Sequence, residues 1–408
     1  MKNIYLVLVS LAAAVLVAGC GGSSSGAAAT PVAAKVSITA TNAGSVAKGG
    51  MSPSQTAAKT GSGGAGTVGV VVQPSPPKKS ALQVALSQLR LMESKQFPVA
   101  PAGVVGVSVS PYFPVQVGCG PYSTTMTFTT PIPGIPASAI PAFNPASGVL
   151  AIDFIDNTVP PNGKFDSGDT ASITATNCID TNPAIAGATT TMNGNMSMTV
   201  TAQSGGVLDP LGTGKMVGAA SSPLVETVTM SFTGFSAADF YPATASAVAA
   251  TETITLSGGF TMAITDDGTV LTTTMTGTAL TMTSTTDGTF SMKNFTIVET
   301  EDSPSLAAAS LTGNYSFNVK MTTNIATLGG EVDITTPTTF RGTGNNEPTV
   351  GVMVITGAGG STLTLTANAA APGAPAGTAG PVNEVVDTDG SNGPAAPQPQ
   401  PDTNWVAI

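Results

Sequence analysis

The chain has 408 residues, a formal net charge of −10, 9% charged residues and 41% hydrophobic ones. It has no histidine, which excludes a Ser-His-Asp triad, a Cys-His pair and a histidine metal site. With 13 Lys and Arg in total and a pI near 4.3, it has no electrostatic footprint for nucleic acid.

Residues 1–19 read as a lipoprotein signal peptide. Lys2 supplies the positive start, and Ile4 to Val17 is an apolar stretch too short for a comfortable membrane span. The stretch ends in Val17-Ala18-Gly19-Cys20, a lipobox, so Cys20 is the expected lipidation site and the expected link to a membrane. Gly21 rather than Asp follows it, which by resemblance to Gram-negative lipoprotein sorting points to the outer membrane, facing the periplasm or the cell surface. A multiply acylated cysteine anchors stably without a transmembrane helix.

Residues 20–79 are dominated by Gly, Ala, Ser, Thr, Pro and Val and are expected to form a flexible low-complexity tether. Residues 20–100 carry seven bases and one acid, whereas 101–408 carry five bases and 22 acids. This split suits a basic tether lying along anionic headgroups while an acidic domain stands away from them. Residues 80–97 hold the clear helix signal: Ser80 as N-cap, then Leu82, Ala85, Leu86, Leu89 and Met92 at helical spacing, ended by Phe97-Pro98.

Residues 98–408 are expected to form one antiparallel β domain, with a period of two from about residue 105. Ile254, Leu256, Phe260, Met262 and Ile264 share one parity; Thr253, Thr255, Ser257 and Thr261 share the other, with a kink expected at Gly258-Gly259. Met196, Met198 and Val200 repeat the pattern, as do Val228, Met230 and Phe232, and Tyr315, Phe317, Val319 and Met321. Turn signals separate the runs at Asn193-Gly194, Asp266-Asp267-Gly268, Asp287-Gly288 and Gly359-Gly360. Parity slips at Ala279/Leu280 and between Met292 and Phe295 predict bulges. The fold class is therefore all-β: a large antiparallel meander, Thr-faced outside and Met/Val/Leu-faced inside, curled into a barrel, half-barrel or sandwich. The lipobox and the 5% aromatic content, with no girdle pattern, argue against a transmembrane barrel.

Cys119 and Cys178 remain once Cys20 is set aside, an even pair in an oxidising compartment, and are expected to form a disulfide. The acids Asp153, Asp156, Asp166 and Asp169 with Asn162 form a candidate calcium set around the turn glycine Gly163. Only half of the calcium-loop pattern fits, because Thr158 and Pro160 stand at two earlier ligand positions; Asx side chains capping a hairpin are the competing reading. Asp387 and Asp389 form a second calcium-like turn. Trp405 reads as an anchor for the last strand, and Arg341 as a partner for Glu331 or Asp333 on a neighbouring strand. The acids sit mostly at turns and aromatic platforms are scarce, so the domain reads as non-catalytic.

The segments Cys119-Gly120-Pro121, Asp153 to Asn157, Asn162 to Asp169, Thr176-Asn177-Cys178, Met192-Asn193-Gly194, Thr335 to Phe340, Pro348 to Gly351, Val354 to Ala358, Val386 to Gly390 and Thr403-Asn404-Trp405 occur together. In this combination the chain resembles a family of uncharacterised proteobacterial envelope lipoproteins over residues 105–408. The resemblance implies an envelope location and an all-β fold, and no activity. Two functional classes follow: a structural or surface-display domain meeting other envelope proteins, or a carrier holding a lipid or other apolar ligand in a Met-rich half-barrel.

Overall fold

The computed structural model describes residues 33–58, 89, 92–93, 112–118, 126–128, 148–157, 164–181, 187–208, 216–243, 250–285, 288–303, 313–343, 348–369, 380–390 and 398–399. Contacts divide the chain after Ala33, and everything below belongs to the unit that begins at Ala34. Cys20, Cys119, Asn162 and Trp405 lie outside the described residues.

The elements follow one another as α1 (Ala43–Ala58), β1 (Tyr112–Gly118), β2 (Met126–Phe128), β3 (Val149–Ile155), β4 (Thr170–Thr181), β5 (Thr189–Ser204), β6 (Val207–Leu208), β7 (Met216–Val217), β8 (Leu224–Tyr241), β9 (Ala250–Asp266), β10 (Val270–Ser284), β11 (Gly288–Asp302), β12 (Asn314–Ile325), β13 (Gly330–Thr343), β14 (Val350–Thr356), β15 (Thr362–Ala367), β16 (Asn383–Asp387) and β17 (Gln398–Pro399). Fifteen strands form one antiparallel sheet in the order β17 to β8, then β5, β4, β3, β1, β2; β6 and β7 form a separate ribbon. The order runs from one edge strand to another, so the sheet is open, and of the expected architectures the closed barrel is not the one adopted.

The period-two pattern sets the faces. Ile254, Leu256, Phe260, Met262 and Ile264 of β9 are all buried, as are the corresponding residues of β5, β8 and β12. The opposite face carries hydroxyls that bond across strands: Thr229 to Thr261 at 3.4 Å, Thr283 to Thr289 at 2.9 Å, Thr300 to Ser316 at 2.6 Å. Thr is β-branched and polar, which suits a strand face that is half wet.

A single sheet buries one face by bending, and the bends line up. Register shifts bracket Gly194 (φ 97°) between β5 and β8 and Gly234 (φ 58°) between β8 and β9. Gly258 (φ 114°) stands opposite both Phe232 and Leu280, and the shifts continue at Thr276/Ala279 and at Lys293/Thr296, where Asn294 has φ 46°. The bulges expected near Ala279 and before Phe295 are therefore parts of one line, whereas at Gly258-Gly259 β9 keeps its parity and the extra residues fall on its neighbours β8 and β10. Each bulge turns its strand, and neighbouring bulges turn the sheet as a whole. Phe232, Phe235 and Phe260 fill the inside of that bend, with centroids 5.6–5.8 Å apart. Asn193-Gly194, expected as a turn, lies inside β5; Asn193 accepts the Asn177 N–H at 2.7 Å and the strand continues past the irregularity to Ser204.

Residues 34–58 are not tether. Val36, Ile38, Ala43, Val46, Ala47 and Met51 are buried, and α1 lies against β11, β12, β14 and β15. The chain first threads through one end of the sheet: Glu331 N–H donates to the Ala34 carbonyl at 2.9 Å, Val36 N–H to Glu331 at 3.0 Å, and Ala358 N–H to Val36 at 2.7 Å. Asn42 then starts the helix, its carbonyl accepting Val46 N–H at 2.9 Å while its side chain accepts Thr39 N–H at 2.8 Å. Gly49 and Gly50 let the helix backbone approach Ile325, Ile334 and Ile355; a Cβ would overlap Ile325 at the first and Ile355 at the second. Within the span 80–97 the described residues Leu89, Met92 and Glu93 are helical, and Leu89 and Met92 belong to the same core. Among the described residues no helix is long and apolar enough to cross a membrane.

Candidate functional site

The meander gives the sheet two ends. The 330 end carries the β12–β13 turn at Ala326–Gly329 and the β14–β15 turn at Ala358–Gly360. The 267 end carries the β9–β10 turn and, by register, the starts of β4 and β8 and the ends of β3 and β11. The buried acids Asp156, Asp169, Glu226, Asp266 and Glu299 lie at the 267 end, while Asp239, Glu252 and Glu331 are buried toward the other.

Asp169 is the centre of the best-defined group. Its Oδ1 accepts the Asn157 N–H at 2.7 Å and its Oδ2 the Asp166 N–H at 2.9 Å. Asn157 Nδ2 donates to the Gly168 carbonyl at 2.7 Å, and backbone bonds from Gly168 to Val200 and from Val200 to Asp169 tie the loop to β5. Phe165 drops from the same loop into the core, edge-on to Phe154 at 6.1 Å. Burial pushes the Asp169 carboxyl up to about 6; the two backbone N–H donors oppose the shift, and the nearby Asp166 and Asp156 charges add to it.

The next loop along this end uses its acids in the same way. Asp266 Oδ2 accepts Gly218 N–H at 2.8 Å and its Oδ1 accepts Gly268 N–H at 2.9 Å. Asp267 Oδ1 accepts the Thr269 hydroxyl and the Thr269 and Val270 N–H groups, which hold its carboxyl below the usual carboxylate range. At the far end of β16, Asp387 Oδ1 accepts Asp389 N–H at 3.2 Å and Gly390 N–H at 3.0 Å. In each case a carboxylate closes a turn by taking backbone donors, the Asx geometry that competes with cation ligation.

No protein-family model, curated protein or solved structure matches this chain.

The candidate calcium set is not assembled as a set. Asp153 is exposed on the outer face of β3, between the buried Ile152 and Phe154, whereas Asp156 and Asp169 are buried. Period-two alternation separates Asp153 from the others, and both oxygens of Asp169 already accept backbone N–H groups. Among the described residues no group of three His, Cys, Asp or Glu is placed to hold a metal ion. In the second turn, Asp387 closes the loop and Asp389 is exposed.

Arg341 does not meet Glu331 or Asp333. It is exposed near the 267 end of β13, opposite Ser316 and Val350, about ten residues and ~33 Å along the strand from those acids. Their partners are lysines: Lys35 bridges to Asp333 and Lys293 to Glu331. Burial raises the Asp333 carboxyl, but hydrogen bonds from Lys35 and Thr322 and the Lys35 charge outweigh it, so it is lowered overall. Cys178 is buried in β4 and disulfide-bonded, with its partner outside the described residues. The register carries β1 to Gly118, the residue before Cys119, opposite Val149, which stands opposite Thr176.

Sequence reasoning missed several inward acids. Glu226 shares the parity of Val228, Met230 and Phe232, so its inward direction was readable; Gln203 Nε2 meets it at 3.2 Å. Asp239 and Glu252 stand directly opposite each other on β8 and β9, both buried; the Thr190 hydroxyl donates to Asp239 and the Ser284 hydroxyl to Glu252. That pairing needs the strand register, which no local pattern carries.

Proposed function

We propose that this chain is an envelope lipoprotein, anchored through Cys20 in the outer membrane, whose β domain has a non-catalytic structural or display role. We place it with the proteobacterial envelope lipoproteins that its motifs resemble. The lipobox supports the anchor. The observation that carries the choice of role is the content of the interior: Met51, Leu89, Met92, Met262, Met275, Met282 and Met353 are each fully buried within one continuous core. Met side chains buried within one continuous cluster read as core material, whereas a carrier needs its apolar lining available to cargo. The described acids close turns and meet hydroxyls and lysines, which agrees with a scaffold.

The test is metabolic labelling with an alkyne fatty acid in a Gram-negative host, followed by native mass spectrometry of the purified protein. Labelling that disappears in Cys20→Ala, with no further mass on the domain, is the expected result. An unlabelled wild-type chain would refute the anchor, and a stoichiometric apolar ligand would replace the structural role by the carrier role.

A further inference from the structure

We propose that the 330 end of the sheet is the membrane-facing end of the domain and that the acid-rich 267 end points away from the bilayer. This rests on the lipid anchor proposed above. The chain joins the sheet at the 330 end: residues 34–38 are bonded to Glu331, Ala358 and Ser361, the last through Ile38 N–H at 3.0 Å to the Ser361 hydroxyl. The Lys35–Asp333 bridge fixes the same point. Only about a dozen residues separate Cys20 from this clasp. Whatever its conformation, a chain of that length spans no more than ~45 Å. The strands are longer: β8 has 18 residues, about 60 Å from end to end. The anchor therefore holds the 330 end close to the bilayer, and the 267 end meets it only if the domain lies flat.

Charge opposes lying flat. The described acids of the 267 end, among them Asp156, Asp169, Glu226, Asp266, Glu299 and Asp302, outnumber its bases Lys164 and Arg341, whereas at the clasp end Lys35, Lys48 and Lys293 offset half of Asp239, Glu252, Glu331, Asp333, Asp387 and Asp389. An anionic surface repels the 267 end more strongly than the clasp end, so the field acts with the short connection to hold the strands upright.

The test uses the full-length lipidated chain in phosphatidylethanolamine/phosphatidylglycerol vesicles with acceptor-labelled headgroups. A donor dye is placed on T327C, exposed at the 330 end, or on V270C, exposed at the 267 end. Energy transfer several-fold stronger from position 327 than from 270 is expected. Equal or reversed transfer overturns the orientation. A forty-residue Gly/Ser insertion after Gly21 should reduce transfer from position 327; unchanged transfer there also overturns it. Flotation and intact mass are read on the same samples. A chain that carries no lipid and stays off the vesicles removes the anchor and this orientation with it, whereas a lipidated chain with the wrong transfer pattern removes the orientation alone.

Discussion

Asp169 shows what one buried carboxyl does to a stability profile. Its folded pKa, about 6, lies above its ordinary value of 3.8. The folded state therefore prefers the protonated form, and the stabilisation from protonation is full below pH 3.8 and lost as pH rises through 6. We expect denaturant midpoints to be higher at pH 5 than at pH 7.5, and the difference to shrink in Asp169→Asn, which cannot titrate. An Asn variant with the full pH dependence would assign the effect to other acids. Gly277 is the second single position with a clear consequence. A methyl there would overlap the Phe295 ring and approach the Gly259 carbonyl at 2.9 Å. A stiff ring and a backbone atom cannot both yield, so Gly277→Ala should cost about 1–3 kcal/mol in chemical unfolding. A loss under half a kcal/mol would mean that the bend repacks freely.

At the scale of elements, the strands were legible and α1 was not. Two-residue alternation in β5, β8, β9 and β12 directly reports which side chains face the core, and the parity slips near Ala279 and Phe295 mark bulges. The stretch AGSVAKGGMSPSQTAA contains three glycines and Pro53 inside the helix, which local propensity scores as linker. It becomes helical because it is enclosed: its glycines permit close approach to three isoleucines, and Ser54 Oγ donates to the Gly50 carbonyl at 2.8 Å. Tertiary burial outweighs propensity here, and no pattern within sixteen residues reports what they will pack against. The acidic cluster was half legible for a similar reason. Composition marks 153–169 as oxygen-rich, but only the register shows Asp153 leaving the group and Asp169 turning to the backbone. Met51 is fully buried on α1, so Met51→Ala should destabilise the domain by about 2–5 kcal/mol. A loss below 1 kcal/mol would show that the helix is dispensable to the core.

At the scale of the whole molecule, one long sheet with neighbouring strands adjacent in sequence leaves two margins to secure. β3 and β4 are tied to the β1 margin through the Cys178 bond if Cys119 is its partner, a closed loop of about sixty residues whose removal costs ~4 kcal/mol by loop-closure entropy. Reduction should therefore lower the melting temperature, and Cys119→Ser should reproduce the loss. A Cys119→Ser chain that still lacks free thiols and melts as before would assign the bond to Cys20, in conflict with lipidation there.

The clasp at residues 34–38 also links synthesis to completion. Lys35 and Asp333 are 298 residues apart, and Ile38 and Ser361 are 323 apart. During synthesis the N-terminal segment emerges first, yet the strands it packs against, β11 to β15, emerge near the last. A chain cut short anywhere before β15 keeps its leading helix without a berth and leaves Val46, Ala47 and Met51 uncovered. The fold thus counts its own far end: only a chain delivered nearly in full can put its first helix away.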